Sequence, residues 1–268
     1  MRISMPNKKS QAGFTLLEMM VGAAIFLVVS GAVMALLNVS QKRYKTDTQV
    51  LGAFQEARLA MDQMTRDIND AGYPPQSQFL NPALTPASYA QTPYAWWPNY
   101  VAQTPCAIGV CTTPSDFDLI VEANVDNNTS RNVSWVRYQL VGSTLYRGVV
   151  VKTAGVEAAN ATSAAGVMAP YVTNVVNNAS AATIASLNTD YPGLFPGGTP
   201  VPIFTYYCDL PNNAGVGLCT GAGVNNTPNN IREVSIALIV RTKGVDEQSG
   251  EIRAVTLNGM ARRINPNQ

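Results

Sequence analysis

The sequence predicts an α+β chain: a long N-terminal α-helix, transmembrane in its first half, packed on an antiparallel β-sheet with disulfide-closed loops. Three observations predict it. Residues 19–37 form an almost unbroken apolar run without a single charge, about as long as the roughly 20 apolar residues that take a helix across a bilayer. A helical beat of apolar residues then continues to Ala71. Beyond a proline-rich stretch, short runs of period-two alternation replace it.

The helix comes first. The apolar run passes through 38–43 without a turn signal, and Val50, Phe54, Ala57, Met61, Met64, Ile68 and Ala71 follow at alternating spacings of four and three. That spacing draws one apolar stripe along a helix. Asp47, Glu56, Arg58, Asp62, Arg66, Asp67 and Asp70 are assigned to its other faces. Gly72 stands at a natural stop, and Pro74-Pro75 forbid continuation. One helix from about residue 14 to residue 71 would be about 85 Å long. A coiled-coil seam would use the same stripe, but there are few heptads beyond the apolar half. Packing on a sheet of the same chain is the preferred solution.

Residues 74–115 are rich in Pro, Gln, Thr and Tyr and read as irregular loop, with Trp96 and Trp97 as loop anchors. Strands are predicted over 117–123, 133–141 and 144–151, the last two joined as a hairpin through Gly142-Ser143. The Ala-, Asn- and Gly-rich segment 153–230 reads as long loops. Two final strands, 231–242 and 252–263, flank a turn over 243–251.

Composition narrows the chemistry. The chain has 268 residues and a net charge of +1, and no histidine. The absence of histidine excludes Ser-His-Asp and Cys-His nucleophiles and every His-ligated metal site. There is no Walker-type phosphate loop, and no catalytic constellation or cofactor site is predicted. Arg131, Arg137, Arg147, Lys152, Arg232, Arg241, Lys243, Arg253, Arg262 and Arg263 are scattered, so charge does not predict nucleic-acid binding. Asp116, Asp118, Glu122, Asp126, Asn127 and Asn128 offer oxygen ligands in one stretch, but their spacing departs from a calcium-binding loop.

Four cysteines allow three disulfide pairings. The two local ones, Cys106 with Cys111 and Cys208 with Cys219, are favoured because each pair brackets a short loop. A zinc site of all four thiolates competes, although the ten residues between Cys208 and Cys219 fit a zinc knuckle poorly.

The N-terminus carries the most specific signal. An ordinary secretory signal has a basic region, an apolar core and then a small-residue cleavage site. Here Arg2, Lys8 and Lys9 lie in a polar leader, and the candidate site at Gly13 precedes the apolar run. The positive-inside rule places the leader in the cytoplasm and the rest outside. A carboxylate within an apolar segment is costly and by default functional, which singles out Glu18.

Gly13-Phe14-Thr15-Leu16-Leu17-Glu18 resembles the class III signal of type IV prepilins and type II secretion pseudopilins. The resemblance implies a leader peptide over 1–13, cleavage by a prepilin peptidase between Gly13 and Phe14, and N-methylation of Phe14. It implies a filament in which Glu18 of one subunit pairs with the Phe14 amine of another. Cleavage would leave 255 residues and, with Arg2, Lys8 and Lys9 gone, shift the side-chain charge from +1 to −2. It further implies a filament-core half of the helix over 14–40, an amphipathic half over 41–72 and a β-rich head over 73–268. Major pilins often carry proline at the position held here by Ala35; Gly22 and Gly31 weaken this helix by about 1 kcal/mol each.

Residues 58–73, the predicted hairpin and 234–242 resemble PilW-type minor pilins, with the J-type pseudopilin as a close relative. The implied partners are the prepilin peptidase, a major pilin and other minor pilins, the inner-membrane assembly platform, and membrane lipid before assembly. The implied location is the inner membrane, then a surface pilus or periplasmic pseudopilus. The alternatives are a type II secretion pseudopilin and a membrane-anchored binding module.

Overall fold

The structure, a computed structural model, describes residues 13–78, 88–95, 114–125, 132–220, 223–246 and 251–264. A single helix, α1, runs over Leu16–Asn69 and is capped by Asp70, whose N–H donates to Arg66 O. It ends two residues before Ala71, the predicted last helical residue. Gly72 then takes a positive φ of 84°, and its N–H donates to Glu122 O at 2.8 Å, turning the chain onto the head.

The head holds two antiparallel sheets where one was expected. β1 (Asp118–Ala123), β2 (Ser134–Val141), β3 (Thr144–Val151) and β4 (Met168–Thr173) pair in that order, with the short helix α2 (Ala158–Thr162) between β3 and β4. After the helix α3 (Ala181–Asp190), β5 (Phe204–Asp209), β6 (Val216–Leu218), β7 (Ile231–Val245) and β8 (Ile252–Arg262) form the second sheet in the order β6-β5-β7-β8. The Gly142-Ser143 turn closes β2 onto β3 as predicted, with Gly142 at φ 61°.

The reading of 153–230 as long loops is therefore corrected, since α2, β4, α3, β5 and β6 all lie there. Its elements are short, and their Ala, Asn and Thr residues carry little hydrophobic periodicity. β5 is the exception: Phe204, Tyr206 and Cys208 point inward while their neighbours do not, a period-two signal over only six residues.

Residues 174–177 stitch the two sheets. Val175 N–H donates to Ser143 O, and Val176 N–H to Ile239 O, each at 2.9 Å. Asn177, fully buried, donates to Val201 O and Ala237 O and accepts from Ile239 N–H at 2.7 Å. Every arm of its amide but one lone pair is used, as a buried amide requires.

The second half of α1 lies against both sheets. Ala57, Met61, Met64, Ile68 and Ala71 are buried with Leu119, Val136, Leu145 and Val172 of the first sheet and Val234, Ile236 and Leu238 of the second. Val50 and Phe54, higher on the stripe, are half-buried. The helix reaches β8 so closely that a Cβ on Gly259 would lie 2.9 Å from Met61 Sδ.

Asp67, assigned by sequence to a polar face, is instead 2% exposed. Its carboxylate accepts from Tyr138 Oη at 2.5 Å, from Arg147 Nη2 at 2.9 Å and from Gln63 Nε2 at 2.8 Å. Charge alone could not separate it from Asp62 or Asp70. The second misplaced acid is Glu56, half-buried, whose Oε1 accepts the Thr173 N–H at 2.8 Å. Two further ion pairs brace the first sheet: Arg137 grips Asp118 through two parallel hydrogen bonds, and the fully buried Lys152 pairs with Glu122. Such pairs add little net stability but penalise any arrangement that separates them.

Two expectations follow. Asp67→Ala takes away the acceptor of the Tyr138 O–H and the carboxylate partner of Arg147, leaving only the bond from Arg147 Nε to Tyr138 Oη, so chemical denaturation should show a loss of about 3 kcal/mol. Burial holds the phenols of Tyr94, Tyr138 and Tyr206 well above their ordinary range, reinforced at Tyr138 by the Asp67 charge. Above a pH of about 10 the unfolded chain releases these protons while the folded one keeps them. Unfolding titrations should therefore show stability intact below that pH and falling as pH rises above it, with Tyr138→Phe flattening the slope.

Candidate functional site at the helix N-terminus

Gly13, Phe14 and Thr15 precede α1 in non-helical backbone, and Phe14 is 89% exposed. The Gly13–Phe14 bond is thus free of the helix ladder and open to an approaching protein. Thr15 is the N-cap at φ −77° and ψ 150°. Its Oγ1 accepts from Glu18 N at 3.2 Å, and Glu18 Oε2 accepts from Thr15 N at 3.0 Å. The Thr15 hydroxyl also donates to Glu18 Oε2 at 3.1 Å.

This is a capping box, in which an N-cap hydroxyl and an acid three residues on satisfy each other's main-chain donors. Glu18 stands out in the sequence by its charge and Thr15 does not, although the Thr-x-x-Glu spacing is the signal that would find it. The monomer gives the Glu18 carboxylate two partners within its own first turn. The expected pairing of Glu18 with Phe14 is one between chains, and the two residues share no hydrogen bond within this one.

Beyond the box, α1 leaves its apolar side chains uncovered. Phe26, Leu27 and Val28 are each at least 70% exposed, and the exposure continues past Leu36. The most apolar window has a mean hydropathy of 2.5, and none of it is buried. Among the described residues this is the one helix long and apolar enough to cross a membrane. Exposed apolar surface on this scale marks a site of membrane or protein association.

Elsewhere, Cys208 and Cys219 form a disulfide with Cα atoms 4.9 Å apart, closing the loop between β5 and β6. Neither sulfur is left as a thiolate, which removes the four-cysteine zinc alternative. Cys106, Cys111, Trp96 and Trp97 lie outside the described residues. The acids considered for calcium are divided: Asp118 serves Arg137 and Glu122 serves Lys152, while residues 126–128 lie outside the described residues. A cleft of about 290 Å³ beside α1 is lined by Gln49, Glu56, Thr173, Arg241 and Lys243. Glu56 there is already bonded to Thr173, so the cleft offers no free acid.

Thr15→Ala removes the cap, at a cost of about 1 kcal/mol to the first turn. In detergent micelles, amide exchange at Glu18 should accelerate about fivefold, while exchange at Met61 stays unchanged.

No curated protein and no solved structure matches the chain. Residues 8–34 match the family model described as a prokaryotic N-terminal methylation motif, so this segment carries a prepilin signal of the type IV pilin-like kind, which supports a pilin-like or pseudopilin-like subunit.

Proposed function

We propose that the protein is a structural subunit of a type IV pilus-like filament. It is a minor pilin that primes assembly or sits at the tip and contributes to pilus biogenesis, adhesion or motility. The observation that carries this reading is the methylation motif over 8–34 leading directly into an uncovered apolar helix whose far half is fixed to the head. Before assembly, the apolar half sits in the inner membrane with the head in the periplasm. Prepilin peptidase cuts after Gly13 and methylates Phe14, leaving residues 14–40 as the part that enters the filament core.

In that water-poor core, Glu18 needs a cation. A neighbouring Phe14 amine supplies it, and Glu18 leaves or shares its capping box to reach it. The pair contributes little net stability and acts as a register device, because a misplaced subunit leaves a buried charge unpaired. The matching stagger sets the axial step between subunits. The head does not need catalysis for this role. The PilW-type reading rests on the sequence resemblance of residues 58–73, 136–147 and 234–242 alone. A type II secretion pseudopilin would share the motif but stay within the envelope.

The test is mass spectrometry of filaments sheared from cells. A methylated peptide beginning at Phe14, at a small fraction of the major pilin, is the expected result. A chain retained in the membrane with residues 1–13 attached overturns the reading, and a cleaved form confined to the envelope favours the pseudopilin. Glu18→Ala should remove the protein from sheared filaments while leaving the amount of membrane-bound chain within about twofold.

A further inference from the structure

We infer that the Lys152 amine condenses with the Gln91 side-chain amide, with Glu122 as general base and acid, leaving an isopeptide bond within the head. The inference stands apart from the filament reading, which supplies only its mechanical consequence.

The site lies on the face of the first sheet turned away from α1. Leu119, Val121 and Ala123 of β1 belong to the core beneath α1, whereas Ile120 packs with Trp135 in a separate cluster. Glu122 shares the parity of Ile120 and stands on that second face. Residues 93–95 run along β1: Ala95 N–H donates to Ile120 O at 2.9 Å, and Glu122 N–H to Pro93 O at 3.0 Å. Lys152 directly follows β3, and its N–H donates to Val133 O at 2.9 Å.

Lys152 Nζ meets three acceptors, one for each of its N–H bonds. They are Tyr89 O at 3.2 Å, Gln91 Oε1 at 3.3 Å and Glu122 Oε1. The Lys152 and Glu122 side chains are both 0% exposed, and the Tyr89 ring centre lies 5.8 Å from Nζ. Glu122 Oε1 also accepts the Gln91 N–H at 3.2 Å. One carboxylate oxygen therefore holds both the amine and the residue that bears the amide.

The chemistry follows from the residue types. The buried Arg137 and Arg263 are guanidiniums, which keep their protons; an ammonium beside a base can lose one and become a nucleophile. The Gln91 amide carbon is one bond beyond the oxygen that Nζ touches. A turn of the amide brings it to the roughly 3–3.5 Å from which attack proceeds.

Glu122 takes a proton from the Lys152 ammonium, and the free amine adds to Gln91 Cδ. Glu122 hands that proton to the leaving nitrogen and takes a second from the attacking one. The Cδ–Nε2 bond breaks, ammonia departs, and the Nζ–Cδ bond remains. No oxidant or further reactant is needed. Glu122 ends protonated, so the lost ammonium leaves no unpaired carboxylate buried, an arrangement that would be heavily penalised. A pull that frees α1 from the sheets next loads residues 73–95. The link from 91 to 152 ties that segment to the end of β3 and carries the load into the sheet.

The test is peptide mapping by mass spectrometry of the full-length chain from detergent-solubilised membranes, reduced and alkylated before trypsin. The expected result is residues 67–131, which carry Gln91, joined to residues 148–232, uncut at Lys152. Their mass should fall one ammonia below the sum of the two. Gln91→Ala removes the acyl donor, leaves the ion pair in place and should abolish the joined peptide. Reduced and boiled, the wild-type chain should run ahead of Gln91→Ala on a denaturing gel, because the link keeps it more compact. Glu122→Gln keeps the side chain's shape and should slow formation of the bond at least about 100-fold. Separate peptides from the folded wild-type chain overturn the inference. So does a joined peptide one water below the sum, which would place the bond at Glu122 instead. Formation at the wild-type rate in Glu122→Gln overturns the role given to the carboxylate. If Glu122→Gln fails to fold, the wild-type map and Gln91→Ala decide the matter. None of these readouts depends on cleavage at Gly13 or on filaments, so failure here leaves the filament reading standing.

Discussion

One uninterrupted helix has to satisfy two surroundings, and the rest of the molecule follows from that. Its far half is held by an apolar stripe and by three polar anchors. Asp67 binds β2 and β3, Glu56 binds β4, and Asn69 binds the end of β8. These contacts reach both sheets, so the helix is the common wall of the head. Its near half has no counterpart among the described residues, and its apolar side chains stand in the open. The same rigid rod therefore transmits any placement of its N-terminus directly to the head.

Much of this was legible in the residues. The four-three spacing from Val50 to Ala71 located the face that docks, and Gly72 with Pro74-Pro75 located its end to within two residues. The hairpin through Gly142-Ser143 was also readable, because turn chemistry and alternation agree there. Other features resisted for physical reasons. Asp67 and Asp62 look alike in sequence, and only the approach of Tyr138 and Arg147 makes one of them a core residue. Asn177 works through contacts with residues 24 and more positions away, which no local pattern encodes. The split into two sheets depends on the crossing at 174–177, a stretch without strand periodicity of its own.

The N-terminal site shows a similar division. Gly13, Phe14 and Glu18 are recognisable by their offsets, and all three lie within the matched span of 8–34. The part played by Thr15 emerges from geometry, where it closes a box with Glu18 that keeps the first turn intact and the carboxylate occupied. A carboxylate occupied within its own chain suits a subunit waiting in a membrane. Exchange for an amine on a neighbour suits one entering a filament.

The most direct test of the two-surroundings account is cysteine scanning along α1 in the membrane-bound full-length chain, using a membrane-impermeant maleimide. The account predicts no labelling from 19 to 37. It predicts labelling at 44, 51 and 59, whose native side chains are exposed, and protection at 57 and 64, which are buried. Labelling throughout 19–37, or equal labelling at 57 and 59, would contradict it.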